Sequence, residues 1–517
     1  MEKLNNDQVR SQSIDHLGLV AATIHKLDLI QRIDKILPIS KDKGAKLTMG
    51  QRVAGMIING LGFVDTRLYM FPEFLANVAV DILIDDEVKS DYFTADALGR
   101  CLDEMHLYGV EKLFAELAYP IALEHGFLGD QLHIDSSSLT LHGDYNLSDE
   151  ELESKPKPAE GCLSTPEIKR GHSKDHRPDL KQVVINMATT GAAGFPLWME
   201  SHSGNASDQN ILHDAAVRVE AFIKSFDNGN QFIYVADSAA YSSCIKQTEK
   251  ILWVSRVPER YSLVKKLLSL TDDSFNWEEC ENGYRTCNIG LIHKDVKQYW
   301  CIVSSEQARK REIITFERRL SKIEIMANKQ VSSLGRQEFS CKQDALDAVA
   351  KLENKCKHHK IASTVVELKK YDLPGRPKLD SVPSEIVYKI QGTVSRDEEV
   401  ISLIRLRKGR FIVATNDIKE EKVLINNLLT CYKGQASTES GFKFIKGNDF
   451  KVSSVYLKKP ERIAALMVIM TLCLMVYSVA QYHLRIALKE AKETIPDQKG
   501  KETDNPTLSR MSIGMQK

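Results

Sequence analysis

Residues 463–480 read IAALMVIMTLCLMVYSVA, eighteen positions without a charge. A helix that is apolar on every side has two homes: a bilayer, or the middle of a core wide enough to surround it. Eighteen residues is the lower edge of a membrane-spanning length, and Thr471, Tyr477 and Ser478 interrupt the run only mildly. The run follows closely on a polar helical stretch, which favours burial beneath that stretch over a membrane. Ile463, Leu466, Met470 and Leu474 recur at helical spacing, so this face is expected to pack on a sheet. A chain of 517 residues has material for such a core, in two to four domains.

Composition narrows the class little. Hydrophobic residues make up 43% and charged residues 27%, and the formal net charge is +0. Global charge therefore announces no polyanionic partner, and local charge must do so. Ten cysteines include no C-x2-C pair, so no zinc framework is visible. The opening Met1-Glu2-Lys3-Leu4-Asn5-Asn6-Asp7 is polar and unlike a secretory signal. Reduced thiols in a cytoplasm are the expectation.

Three carboxylates carry the chemistry. Asp135 ends the apolar run Gln131-Leu132-His133-Ile134-Asp135, and Asp237 ends Phe232-Ile233-Tyr234-Val235-Ala236-Asp237. Glu439 lies in a helical stretch far downstream. Two strand-end aspartates and a helix glutamate supply hard oxygen ligands for divalent metal, the arrangement that runs phosphoryl transfer on a nucleic-acid backbone. A buried trio of like charges is costly without cations, so the alternative is three carboxylates scattered over the surface. From Tyr432, the residues Gln435, Glu439 and Lys446 stand at offsets of 3, 7 and 14. On a continuous helix these fall within an arc of roughly 60°. A solvated face is the competing reading of that stripe.

The stretch Tyr432-x2-Gln435-x3-Glu439-x6-Lys446 resembles the Y-R-E-K signature of bacterial insertion-sequence DDE transposases, with Gln435 where the signature has Arg. The segments Gly171–Gln182, Ala236-Asp237-Ser238-Ala239-Ala240-Tyr241 and Leu457-Lys458-Lys459-Pro460-Glu461-Arg462-Ile463 resemble other parts of that group, in order. The resemblance implies catalytic and metal-binding roles for Asp135, Asp237 and Glu439, with two Mg²⁺ ions that Mn²⁺ can replace. It implies DNA contacts by Tyr432, Gln435 and Lys446. Gln435 lacks the charged bidentate contact of Arg, so an Arg placed there is expected to tighten binding to a cleaved end. The implied partners are double-stranded DNA, as terminal inverted repeats and target, and a second copy of the chain in a paired-end complex. No membrane is involved, and the location is cytoplasmic and nucleoid-associated.

The expected fold is α/β: a ribonuclease-H-like mixed-sheet catalytic core split by a β-rich insertion, with a helical N-terminal region. Residues 1–127 read as helical, with a Thr48–Gln51 capping box, and suit either a helix-turn-helix DNA module or a helical cap on the core. Residues 128–270 hold the first part of the core, with strands at 131–135, 182–189, 195–201 and 231–237, a helix at 208–225, and a fifth strand at Ile251-Leu252-Trp253-Val254. Residues 271–415 form the insertion. It has a strand run at 285–303, helices near 305–333 and 342–356, and strands at 361–368, 386–394, 400–406 and 411–414. Residues 416–490 return to the core as two helices, and 491–517 are a loose tail.

Smaller signals are double-edged. His133, two residues before Asp135, reads as a zinc partner or, preferably, as a histidine packed beside the site. His172 and His176, with Lys174 and Arg177, sit in a basic loop, read as phosphate-facing rather than merely solvated. Arg309-Lys310-Arg311 and Arg318-Arg319 are either DNA contacts or the polar face of a helix. Trp300 is a base-stacking candidate, with core packing the stronger reading.

The leading function is an insertion-sequence transposase that cleaves DNA and transfers strands by cut-and-paste. The alternatives are a metal-dependent nuclease without strand transfer, an inactive DNA-binding remnant, and a membrane-associated protein using 463–480. After Leu508 the resemblance stops, and a truncated or frame-shifted end is the expectation there.

Overall fold

The computed structural model describes residues 14–39, 44–62, 70–145, 157–226, 231–244, 251–372, 382–420, 427–447, 457–497 and 499–508. The chain forms two compact units. The first comprises residues 1–256, 292–298 and 415–517; the second comprises 257–291 and 299–414.

The first unit is built on five strands: β1 (Gln131–Leu141), β2 (Lys181–Thr190), β3 (Phe195–Ser203), β4 (Ile233–Ala236) and β5 (Leu252–Arg256). They lie side by side as β3-β2-β1-β4-β5. β1, β2 and β3 are antiparallel, whereas β4 runs parallel to β1 and β5 parallel to β4. Gly191 (φ 65°) and Gly194 (φ 60°) supply the left-handed positions that turn β2 into β3. The helix Asp208–Phe226 carries the chain from β3 to β4, as a change from antiparallel to parallel pairing requires. Strand β2 is buried at every position but its first, so helices cover both faces.

The apolar run lies in a helix, Pro460–Ala491, that opens on Pro460 and ends at Lys492 in the left-handed region. It is long and apolar enough to cross a membrane, yet most of its apolar window is buried inside the unit. Its neighbours are the helices Leu17–Lys26, Met49–Leu61, Ala95–Tyr108, Val110–Glu124 and Ala436–Ile445, together with β3. The helix does lie against the sheet, at β3 as expected, but other helices enclose its remaining sides. Met467, Val468, Leu472, Met475 and Val476 are all fully buried, whereas Leu466 is only partly so. A helix with no polar face is enclosed from all sides. The front helices share this one core, the arrangement of a cap. Thr48 and Gln51 form the expected capping box. Arg462 clamps the long helix to Ala95–Tyr108 through two bonds of 2.7 Å to Asp103.

The second unit begins at Val257 rather than near 271: the Val257 amide donates to the Ile412 carbonyl at 2.9 Å and joins that unit's own framework. The run expected over 285–303 is two strands, Tyr284–His293 and Val296–Ser305, broken where Lys294 (φ 52°) and Asp295 (φ 65°) turn the chain. A 31-residue helix, Glu306–Arg336, packs with Lys342–Lys355 and the hairpin His359–Lys370/Glu385–Arg396 around Ala327, Val331, Val349, Leu352 and Ile390. The strand expected at 400–406 is a helix, Glu398–Arg407. Its β-branched apolar residues suit a strand, but Val400, Ile401, Leu403 and Ile404 fall at helical spacing, and Asp397 caps Val400, with acids in the first turn and Arg405 and Arg407 in the last.

Downstream of β5, the described residues of the first unit form three helices where two were expected: Leu428–Lys433, Ala436–Ile445 and Pro460–Ala491. Nor are residues 491–508 loose. A small hairpin pairs Ile495 with Thr503, Leu508 is buried, and Arg485 donates to the Pro506 carbonyl at 2.9 Å. Residues 509–517, on which the expectation of an altered end falls, lie outside the described residues.

A candidate carboxylate site

Strand register brings the two aspartates together. Ile134 lies opposite Ala236, so the next residues, Asp135 and Asp237, follow side by side. The expectation that both aspartates end strands holds only for Asp237, which directly follows β4; β1 runs on past Asp135 to Leu141 because its pairing with β2 continues, Asp135 lying opposite Met187. Asp135 Oδ1 accepts from the Ser136 amide at 2.8 Å. Asp237 Oδ1 accepts from the Ala239 amide at 2.8 Å, an Asx-turn that ends the strand.

Glu439 arrives on the helix Ala436–Ile445, which polar contacts hold against the sheet. The buried Thr438 hydroxyl donates to the His133 carbonyl at 3.0 Å and lies 2.6 Å from Thr189 Oγ1. Ser437 Oγ is 3.2 Å from the same threonine. Gly434 permits the approach, because a Cβ there would stand 2.6 Å from the His133 ring. His133 is the packed histidine of the preferred reading: burial holds its imidazole down to about 4, hence neutral.

The three carboxylates share one electrostatic field. Burial pushes the Asp135 carboxyl up to about 6; Lys174 and the Ser136 amide pull against that, while Asp237 and Glu439 add to it. The Tyr432 phenol is likewise pushed up by burial, drawn down by Arg256, and raised by Asp237, Glu439 and Asp135. Lys174 Nζ donates to the Ser136 carbonyl at 2.5 Å and lies 3.1 Å from its hydroxyl, which fixes a cation beside β1.

The single stripe expected for Tyr432, Gln435, Glu439 and Lys446 is not what the chain builds. Tyr432 belongs to the helix Leu428–Lys433, Gln435 to the turn after it, and Lys446 to the C-terminal cap of the next helix. Gln435 is buried at 6% exposure while Glu439 is exposed, so they do not share a surface. Lys446 Nζ bonds Asp175 in the basic loop at 2.7 Å. In that loop Arg177 grips Asp179 with two bonds of 2.9 and 2.7 Å, and His172 is exposed with its carbonyl taking a bond from Gln182.

Among the described residues, no group of three or more His, Cys, Asp or Glu side chains is drawn close enough to hold a metal ion. Hard carboxylate oxygens are nonetheless the donors Mg²⁺ takes, and the desolvated Asp135, raised by its neighbours, is a group that added positive charge relieves. Trp300 is fully buried, in keeping with core packing. In the second unit Phe316 is buried and Arg311, Arg318 and Arg319 lie on the exposed side of their helix. Sequence reasoning missed Arg256; its one signal was its place directly after the fifth apolar strand.

A family model described as a domain of unknown function (DUF4277) matches residues 9–119. No curated protein matches the chain. The cryo-EM structure of the piggyBac transposase synaptic complex with hairpin DNA is similar over 97% of this chain and 80% of that chain, with 10% identity and a TM-score of 0.38. A likeness that distant carries neither fold nor function.

Proposed function

We propose that the chain is a DNA transposase of the insertion-sequence DDE type, with a ribonuclease-H-like core split by the second unit. The observation that carries this reading is the shared field of Asp135 inside β1, Asp237 at the end of the adjacent β4, and Glu439 on a facing helix. The strand order β3-β2-β1-β4-β5, three antiparallel and two parallel, supports the core assignment. Asp135, Asp237 and Glu439 would hold two Mg²⁺ ions, or Mn²⁺, with the exposed Glu439 swinging in to complete the set. Bound metal supplies charge neutralisation and activation of a water or 3′-hydroxyl. Tyr432 and Lys446 line the approach of a DNA backbone, Lys446 exchanging Asp175 for phosphate, and Lys174 orients the β1 edge. The partners are terminal inverted repeats, target DNA and a second copy of the chain, in a cytoplasmic, nucleoid-associated setting.

The test is metal-dependent nicking of supercoiled plasmid by the full chain, followed by joining of an oligonucleotide that carries the element's end. Asp135→Asn, Asp237→Asn and Glu439→Gln should each abolish both steps while DNA binding persists. Wild-type cleavage by any variant removes that residue from the site. Cleavage without joining selects the nuclease, and binding without cleavage selects the remnant. A remnant gains some support from the buried, neutral Gln435 at the signature's Arg position.

A further inference from the structure

The first turns of two helices in the first unit face one recess, remote in sequence from the carboxylates. On Met49–Leu61 it is lined by Met49 and Arg52, and on Ala95–Tyr108 by Ala97, Arg100 and Glu104. Its volume is about 700 Å³, within the range of small-molecule sites. Ile36, Leu37, Ile39 and Leu47 give it an apolar wall. Tyr92 adds a ring, with Lys46 Nζ 4.7 Å from its centroid.

Arg52 is the group in this recess that the fold does not satisfy. It is buried at 9% exposure, its Nε has no partner, and its Nη1 makes one long bond of 3.4 Å to the Ala97 carbonyl. Burial lowers its guanidinium, Cys101 opposes that, and Arg100 adds to it; among the described residues no carboxylate stands as its counter-charge. The Cys101 thiol is itself pushed up by burial to about 12 and is neutral. A buried charge without a counter-charge is costly, and an anion in the recess removes that cost. Asp91 and Glu104 also line it, but both are exposed, where solvent screens them. The two helix N-termini favour negative charge. Their amides at Gly50, Gln51 and Ala97 already bond Asp34, Thr48 and Thr94, so side chains must supply the donors.

We propose that this recess binds a phosphate monoester carried on a flat ring, the chemistry of a nucleoside 5′-monophosphate. Arg52 and Arg100 take the phosphate, and the ring lies against Tyr92 and the apolar wall. A phosphate monoester brings about two negative charges and three acceptor oxygens, matched to two guanidinium groups. A recess selects a chain end over the middle of a strand. The ligand is therefore a free mononucleotide or the 5′-terminal nucleotide of DNA. The inference is independent of the carboxylate site.

Calorimetry on the full chain measures binding of dAMP, deoxyadenosine and inorganic phosphate. EDTA is present, so that no metal at the carboxylates recruits phosphate. Arg52→Met and Arg100→Gln are compared with wild type, with thermal midpoints as the folding control. Wild type should bind dAMP at least about tenfold tighter than deoxyadenosine, and each variant should lose about tenfold or more of that affinity. Arg52→Met should not lower the ligand-free midpoint, since Met fills the site without the uncompensated charge. Absence of dAMP binding at millimolar concentration overturns the inference. So does deoxyadenosine binding as tight as dAMP, or a dAMP affinity that neither variant changes. Inorganic phosphate binding as tightly as dAMP overturns the part given to the ring. Should Arg52→Met not fold, Arg100→Gln decides. Competition separates the two sources. Displacement of dAMP by a 5′-phosphorylated oligonucleotide, but not by its 5′-hydroxyl twin, assigns the recess to a DNA end. Displacement by neither assigns it to a free nucleotide, and equal displacement by both overturns the terminal phosphate.

Discussion

The helix that carries Glu439 rests on the long apolar helix at Gly441 and through the Phe444–Tyr477 ring pair, 4.3 Å between centroids, and the first of these contacts predicts a coupling. A Cβ placed on Gly441 would stand 2.9 Å from Leu474 Cδ2 and 3.0 Å from Met187 Cε. Both are ends of flexible side chains and yield at modest cost. Gly441 lies inside a helix, where Ala is worth about 1 kcal/mol over Gly. Gly441→Ala alone should therefore come out near zero, crowding offsetting propensity. Leu474 is buried at 3% exposure, so Leu474→Ala should cost about 3–4 kcal/mol through lost burial and a cavity. In the double variant the Ala methyl enters the space that Leu474 vacates. Its propensity gain is then opposed only by the Met187 methyl, the end of a flexible side chain, and burying the Ala methyl adds about 0.8 kcal/mol. The double variant should be more stable than the sum of the singles by at least about 1 kcal/mol. Urea unfolding followed by circular dichroism, with the slope shared among the four proteins, measures this cycle. Additivity within about 0.5 kcal/mol refutes the contact and the seating of the glutamate helix drawn from it.

Other expectations follow from single groups. Burial pushes the Glu200 carboxyl up, but Arg218 and His202 overcome that and hold it down to about 2. The stability it lends is complete above the unfolded value near 4.5 and is lost as pH falls toward 2. Glu200→Gln should cost about 3 kcal/mol or more at pH 7, leaving Arg218 without its partner, and the gap to wild type should close in acid; a gap that stays constant from pH 7 to 3 contradicts the pairing. Gln435→Arg, which the sequence alone recommends as a gain in affinity, should instead lower the thermal midpoint and leave the salt slope of DNA binding unchanged, because the position is buried; a steeper slope with full stability would show it facing phosphate. Thr438→Val should cost about 1–2 kcal/mol, since the His133 carbonyl and the Thr189 hydroxyl lose a buried partner, and should slow DNA nicking by more than the stability loss explains if the helix positions Glu439.

What was legible in the sequence follows the range of the forces involved. The five strands and the crossover helix were readable because each is a local pattern; the first strand was read too short, ending at Asp135, because the polar run Asp135-Ser136-Ser137-Ser138 hides its continuation to Leu141, which pairing with β2 supplies. The helix at 398–407 was misread because a short apolar run rich in β-branched residues resembles a strand; what decides it is the Asp397 cap and the placement of its charges. The Tyr432–Lys446 stripe failed for a related reason. Spacing predicts a face only along an unbroken helix, and the turn at Gly434-Gln435 resets it. That turn sits where the chain must clear the His133 ring, a contact between residues three hundred positions apart that no local pattern encodes. Arg256 escaped for the same cause. Nothing in Leu252-Trp253-Val254-Ser255-Arg256 marks it until register sets β5 beside β4 and the end of one strand becomes the neighbour of Asp237. The site's charges are thus set by two kinds of information. Local pattern marks each carboxylate on its own, and long-range register decides which of them meet, as Ile134 opposite Ala236 sets Asp135 beside Asp237.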